Sequence, residues 1–238
     1  MSLDIYEKDP PVTYQSKEKH RDRYFGIAIS LVGFLSLIFA AWPFFIWNFN
    51  VLPTLAAKID KAPIPQGAVL SQKTIGASDI QVAKDADGFT YFTTSYKPKG
   101  NRPKEFYISI PKLKIDRALT KVDTLSFSGN LSHFPGSALP GEVGNVFITG
   151  HSALPQFTDT SNYRTIFSHL PDLEVGDIVD VDFENQSFQY IVQYKKIVDP
   201  HDLSVLGQIT GSAKNLTLMT CVPPGTSLKR MVVITSLL

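Results

Sequence analysis

Cys221 is the only cysteine among 238 residues, so it cannot sit in an internal disulfide and its value lies in packing or in reactivity. It ends the apolar run Leu216 to Thr220 and is followed, after Val222, by Pro223-Pro224-Gly225, which presents the thiol at a strand's mouth beside a rigid loop. That location suits a nucleophile, because reactive groups concentrate on loops held by a rigid scaffold. Two further groups occupy comparable places. Arg230 follows nine residues later and opens the next apolar run, and His151 ends the run Val146 to Gly150. Each has an ordinary structural use when taken singly. A lone cysteine is among the most often buried residue types, an arginine after a loop pairs with a carboxylate, and a histidine after a glycine serves in turns. Their joint occurrence at strand ends of one region moves the reading towards chemistry.

A series of short extended segments must position these groups. From about Glu105 the candidate strands are Phe106 to Ile110, Asn145 to Thr149, Ile178 to Phe183, Phe188 to Tyr194, Asn215 to Thr220 and Arg230 to Leu237. Many are rich in Val, Ile, Phe, Tyr and Thr and are bounded by turn residues, which predicts a mainly β domain, a barrel or a sandwich. If Pro223 to Lys229 form the connecting loop, thiol and guanidinium meet at one end of the sheet. Tyr163, Ile166, Phe167 and Leu170 recur at helical spacing and predict one or two helical turns. Upstream, residues 48–103 carry Pro53, Pro63, Pro65, Pro98 and Pro103 with Gly67 and Gly100, the composition of a stalk. Within it, Ile80 to Thr94 reads as a hairpin turning at Asp87-Gly88.

Phe25 to Trp47 contains no charge, and a helix of that length, rising about 1.5 Å per residue, crosses the roughly 30 Å hydrocarbon core of a bilayer. Tyr24, Trp42 and Trp47 lie towards its ends, where aromatic rings favour the membrane interface. The run is longer than a signal peptide's apolar region and shows no clear A-x-A-like site. Lys8, Lys17, Lys19, Arg21 and Arg23 precede it while only Lys58 and Lys61 follow closely, so the positive-inside bias puts the N-terminus in the cytoplasm and the rest outside. Lys plus Arg number 23 against 22 Asp plus Glu, which leaves no basic field for a polyanion and sets nucleic acid aside as a partner.

Thr217-Leu218-Met219-Thr220-Cys221 resembles the TLxTC signature of sortases, cysteine transpeptidases of mainly Gram-positive bacteria, with Met219 at the free position and Arg230 on the next strand. Thr149-Gly150-His151 resembles the sortase histidine segment, and the single anchor fits the family as well. The resemblance implies a closed eight-stranded β-barrel with short helices, preceded by one N-terminal transmembrane helix. It divides the chain into a cytoplasmic tail at 1–24, an anchor at 25–47, an extracytoplasmic stalk at 48–103 and a catalytic barrel at 104–238. It further implies cleavage of a C-terminal sorting signal of LPxTG type between Thr and Gly. Cys221 would form the thioacyl enzyme, and an amine from a cell-wall precursor or a pilin lysine would resolve it. His151 would be general acid and base, Arg230 a donor to the substrate backbone or oxyanion, and Thr220 a substrate-positioning residue that reads equally as a β-branched strand residue.

No cofactor and no metal site is expected, since His133, His169 and His201 show no short ligand spacing such as H-E-x-x-H. Asp202, beside His201, reads as a turn residue near the rim. Two rivals remain open: a cysteine hydrolase using the same residues, and a non-catalytic, membrane-anchored module that binds envelope peptides. Papain-like proteases place Cys before His, the reverse of the order here. Ser152 stands where many sortases carry Arg, and residues 48–103 lack the Asp-Pro-aromatic lid motif of pilin-polymerising members, whereas the Cys221 to Arg230 spacing resembles pilin and sporulation classes. These clues diverge, and no subclass is assigned.

Overall fold

The computed structural model describes residues 18–46, 80–84, 90–98, 100–127, 129–154, 158–207 and 209–238. The chain forms two compact units, Met1–Pro53 and Thr54–Leu238. In the first, helix α1 spans Glu18–Ile46, and its 29 residues run for about 43 Å. Within it Tyr24–Trp42 has a mean hydropathy of 2.2 and none of that stretch is buried against protein. An apolar surface exposed on all sides is compatible with a single-pass membrane anchor. Trp47 and the proline-bearing segment up to residue 79 lie outside the described residues.

Among the described residues the second unit holds ten strands. A two-stranded hairpin pairs β1 (Ile80–Lys84) with β2 (Thr90–Thr94), Val82 facing Phe92; the expected turn at Asp87-Gly88 lies outside the described residues. The other eight are β3 (Glu105–Ile110), β4 (Ile115–Lys121), β5 (Leu131–His133), β6 (Gly144–Thr149), β7 (Ile178–Phe183), β8 (Gln186–Val198), β9 (Lys214–Val222) and β10 (Lys229–Leu237). They close into a barrel in the order β10-β8-β7-β3-β4-β5-β6-β9, as expected for a mainly β chain. Closure pairs every strand on both sides and leaves no edge. The pairs β4–β5 and β6–β9 are parallel and the remainder antiparallel.

Successive side chains alternate between the two faces of a strand. On β6, β9 and β10 one set, including Ile148, Leu218 and Val233, is buried, as are Ile108 of β3 and Val181 of β7. The other set, Phe147, Met219, Val232 and Ile234, joins a cluster with Phe92 of the hairpin and Val205 and Leu206, against which Ile80 and Val82 also pack. The hairpin is not a barrel strand, so the face it covers is the outer one. Five of the six expected barrel strands extend by one to four residues at one end or both, and Ile178–Phe183 matches.

Two strands were not anticipated. In β4, Ile115-Asp116-Arg117-Ala118 carries two charges and Arg117 takes φ 44°, which breaks the alternation; β5 is only three residues long. The helical turns expected at Tyr163 to Leu170 are instead successive three-residue turns, closed by Thr165 to Asn162, Ser168 to Thr165 and Leu170 to Phe167 bonds, leading into a 3-10 turn at Leu170–Asp172. Pro171 within that short 3-10 turn has no N–H to extend a helical ladder.

A buried polar knot ties β5 to the loop before it. His133 is fully buried; its Nδ1 accepts from the Asp123 N–H at 3.3 Å and its Nε2 lies 2.9 Å from both the Ala138 carbonyl and Ser137 Oγ. Arg102 completes the knot, 3.0 Å from Asp123 and donating to the Ser137 carbonyl. Burial drives the His133 pKa from 6.5 down to about 4, against the Ala138 carbonyl and the Asp123 carboxylate, which favour the charged ring, and with Arg102, which opposes it. The unfolded chain therefore takes up this proton near pH 6.5 and the folded chain only near pH 4. Stability from this residue is complete above pH 6.5 and falls as the pH drops towards 4, by about 3 kcal/mol in all. Urea unfolding of the detergent-solubilised protein at pH 7 and pH 4.5 should show this loss, and His133→Asn should flatten it. Equal pH dependence in the two proteins would contradict the assignment.

Candidate active site

Cys221 sits on β9, the strand between β6 and β10. Its pairing partner on β10 is Arg230, so the two side chains share one face of the sheet at the same level. On the other side β6 runs parallel to β9 with Thr149 opposite Met219, which brings the exit of β6 alongside Cys221. His151 follows that exit by two residues. Thiol and guanidinium thus lie at one end of the sheet, and His151 and Thr220 line the same groove.

The His151 segment is tied to the cysteine strand on both sides. Before it, the Gly150 N–H donates to the Met219 carbonyl at 3.1 Å and the Thr220 hydroxyl donates to the Gly150 carbonyl at 2.8 Å. After it, the Ser152 hydroxyl donates to the Cys221 carbonyl at 2.7 Å. The His151 carbonyl accepts from the Phe167 N–H at 3.0 Å, and the Ala153 N–H donates to Ser168 Oγ, so the turns at 160–170 hold the segment from behind. Gly150 permits this approach: a Cβ there would lie 2.5 Å from the Phe167 ring and 2.7 Å from Leu131.

The side chains differ in access. His151 is exposed and its ring lies 4.9 Å from the ring of Phe127 at 57°. Cys221 is half-buried, while Arg230 is only 3% exposed and donates from Nη1 to the Ser227 and Lys229 carbonyls, each at 3.0 Å. Thr220 is buried, with its hydroxyl proton directed at Gly150. The rest of the groove wall is mostly apolar, with Tyr91 and Phe92 from the hairpin, Leu125 and Phe127 from the loop after β4, Phe134 and Met219, and Ser132 and Thr149 add hydroxyls.

The other described histidines stand apart from this groove. His133 belongs to the buried knot, His169 pairs with Asp172 at 2.9 Å and His201 with Asp199 at 2.9 Å. Asp199 also meets Lys229 at 3.4 Å, and its carboxyl is held down to about 2, chiefly by the His201 N–H and ring. Asp202 caps the 3-10 turn Leu203–Leu206 by accepting from the Ser204 N–H, as a turn residue does. Among the described residues no group of three or more His, Cys, Asp or Glu is arranged to hold a metal ion.

Such an arrangement can perform acyl transfer at a thiol, and it lies on a closed eight-stranded barrel. The family model described as Sortase domain matches residues 108–238, more than half of the chain. The chain belongs to the sortase family. It is 25% identical over 130 residues to Sortase D of Bacillus subtilis (strain 168), a match that covers 54% of this chain and 59% of that relative's length. Among solved structures it is similar to a Clostridium perfringens Sortase D5 transpeptidase, with 28% identity, a TM-score of 0.48 and coverage of 57% of this chain and 79% of that one. For Sortase A from Corynebacterium diphtheriae the values are 28%, 0.48, 59% and 63%.

Sequence reasoning passed over Phe127, Ser152 as a hydrogen-bond donor, and the hairpin aromatics. Phe127 lies in an irregular loop with no periodicity to flag it, and the hairpin precedes the barrel by some ten residues. Thr220→Val should leave the buried Gly150 carbonyl without its donor and lower stability by about 1–3 kcal/mol. Thr220→Ser should recover most of that loss. Thermal unfolding of the three proteins checks this, and a Val variant as stable as the Ser variant would remove the hydroxyl's role.

Proposed function

We propose that this protein is a membrane-anchored cysteine transpeptidase that cleaves an LPxTG-like sorting signal and transfers the released acyl end to an amine. The observation that carries the reading is the register: Cys221 faces Arg230 across β9 and β10, and hydrogen bonds on both sides of His151 hold that segment against the same strand. In this reading the Cys221 thiolate attacks the carbonyl of the signal's threonine and forms a thioester. The C–N bond to the following glycine breaks, and His151 protonates the departing amine. An amine from a cell-wall precursor or a pilin lysine then gives a proton to His151 and attacks the thioester, regenerating the thiol site.

Arg230 donates to the substrate backbone or to the oxyanion of each tetrahedral intermediate. Its buried guanidinium already bonds the Ser227 and Lys229 carbonyls with Nη1, a posture that pre-orients the rest of the fork at no cost during the reaction. Thr220 acts as a positioning residue through Gly150. The helix α1 is the anchor, with the N-terminus cytoplasmic and the barrel outside the membrane, in keeping with the five Lys and Arg residues among 1–24.

Incubation of the detergent-solubilised protein with an LPxTG-type peptide, with and without triglycine, should give a peptide–amine product by mass spectrometry. Cys221→Ala should abolish it. Arg230→Lys, which keeps the charge and much of the packing of the buried stem, should lower kcat/KM by roughly 10²- to 10³-fold. Hydrolysed peptide whose yield ignores added amine would instead mark a hydrolase. Biological activity retained in full by Cys221→Ala would mark a binding module.

A further inference from the structure

The groove that holds Cys221 is completed by residues that lie before the stretch matching the sortase family. Tyr91 and Phe92 of β2 line it together with Cys221, His151 and Arg230, yet the match begins at residue 108. We propose that the hairpin β1–β2 is a fixed wall of the substrate groove, and that Tyr91 and Phe92 set the size of the one apolar side chain of the acyl-donor peptide that the groove admits.

Three observations support a wall over a movable cover. Phe92 is 5% exposed and its ring lies 6.2 Å from that of Phe147 on β6. Ile80 and Val82 share the Phe92 face and pack into the same cluster, which includes Met219 of β9 and Val232 of β10. Swinging the hairpin away would expose all of this surface to water, and each fully buried side chain of that size contributes about 1.5–3 kcal/mol. The third is size. With the hairpin in place the groove encloses about 90 Å³, far below the roughly 300–1,000 Å³ of pockets that engulf a whole ligand. Such a space accepts one side chain while the peptide backbone crosses the rim beside Cys221.

The proposal rests on the reading of Cys221 as the nucleophile, and its test has a readout that needs no peptide. In the full chain, Tyr91→Ala and Phe92→Leu are compared with wild type for alkylation of Cys221 by iodoacetamide and by a bulky N-aryl maleimide. Since even one methylene in an apolar pocket is worth 10-fold or more, the ratio of maleimide to iodoacetamide rates should rise at least about 10-fold. The preference in kcat/KM among peptides graded in apolar side-chain size should shift towards the larger. Tyr91→Ala leaves the Phe92 anchor in place, so the test survives if Phe92→Leu folds poorly.

Both reagents accelerating by the same factor would overturn the wall and make the hairpin a displaceable cover. Unchanged rates in both variants would overturn it too, leaving the hairpin a purely structural brace. A shifted reagent ratio in a protein that transfers no peptide would uphold the wall while removing the transpeptidase assignment. A thiol that neither reagent labels would overturn both.

Discussion

The register of β9 between β6 and β10 governs the rest of the molecule. Side chains alternate along a strand, so a slip of one residue would carry Cys221 to the face opposite Arg230 and turn Leu218 outward in place of Met219. Polar side chains pin the register at both ends. Far from the groove, Asn145 accepts from Asn215 at 2.7 Å and from Thr217 at 2.8 Å while donating to the Val205 and Leu206 carbonyls, all of it buried. At the groove, Thr220 and Ser152 do the same work through Gly150 and Cys221. Apolar packing alone tolerates many arrangements of similar volume. A slipped strand would leave these buried amides and hydroxyls unpaired, and that penalty selects one alignment.

The same alternation explains why the reactive face is also an apolar one. Thr149, Met219 and Val232 continue, one pleat inward, the rows that end in His151, Cys221 and Arg230. A barrel strand with an apolar outer face must have that face covered, and the hairpin with the 3-10 turn at Leu203–Leu206 provides the cover. Where the cover ends, the chemistry begins: Phe92 is buried, Cys221 half-buried and His151 exposed, a gradient along a single surface. Water is thereby excluded from the side of the thiol that faces the cluster, while the other side stays open at the rim.

Much of this was legible in the sequence because it depends on local pattern. The strands that carry Cys221 and Arg230, and the one that leads into His151, are apolar runs bounded by turn residues, and the apolar helix needs only composition to be read. What escaped depends on tertiary partners. In β8, Lys195 and Lys196 look like the end of a strand, yet the strand runs on to Val198 and Lys195 caps the 3-10 turn by donating to the Pro171 and Leu173 carbonyls. The β7–β8 turn places Glu184 and Asn185 both at positive φ, the geometry of a two-residue hairpin without the usual glycine. Periodicity in Tyr163 to Leu170 suggested helix, but Asn162, Thr165 and Ser168 close tighter turns, and their purpose is to hold the His151 segment.

The row that holds Cys221 and the hairpin that helps to wall its groove therefore come from different parts of the chain. Cys221 and Arg230 sit on strands whose register is fixed by buried polar pairs, and those pairs lie within the matched residues 108–238. The groove's walls come from an irregular loop after β4, which Asp123 and Thr124 tie to β5 by hydrogen bonds, and from a hairpin that precedes the match and packs on the barrel through apolar contact. Such contacts tolerate substitution of one apolar side chain by another at a cost usually below about 1.5 kcal/mol. A groove built this way can change the size and lining of its hairpin wall without disturbing the strands that hold the thiol.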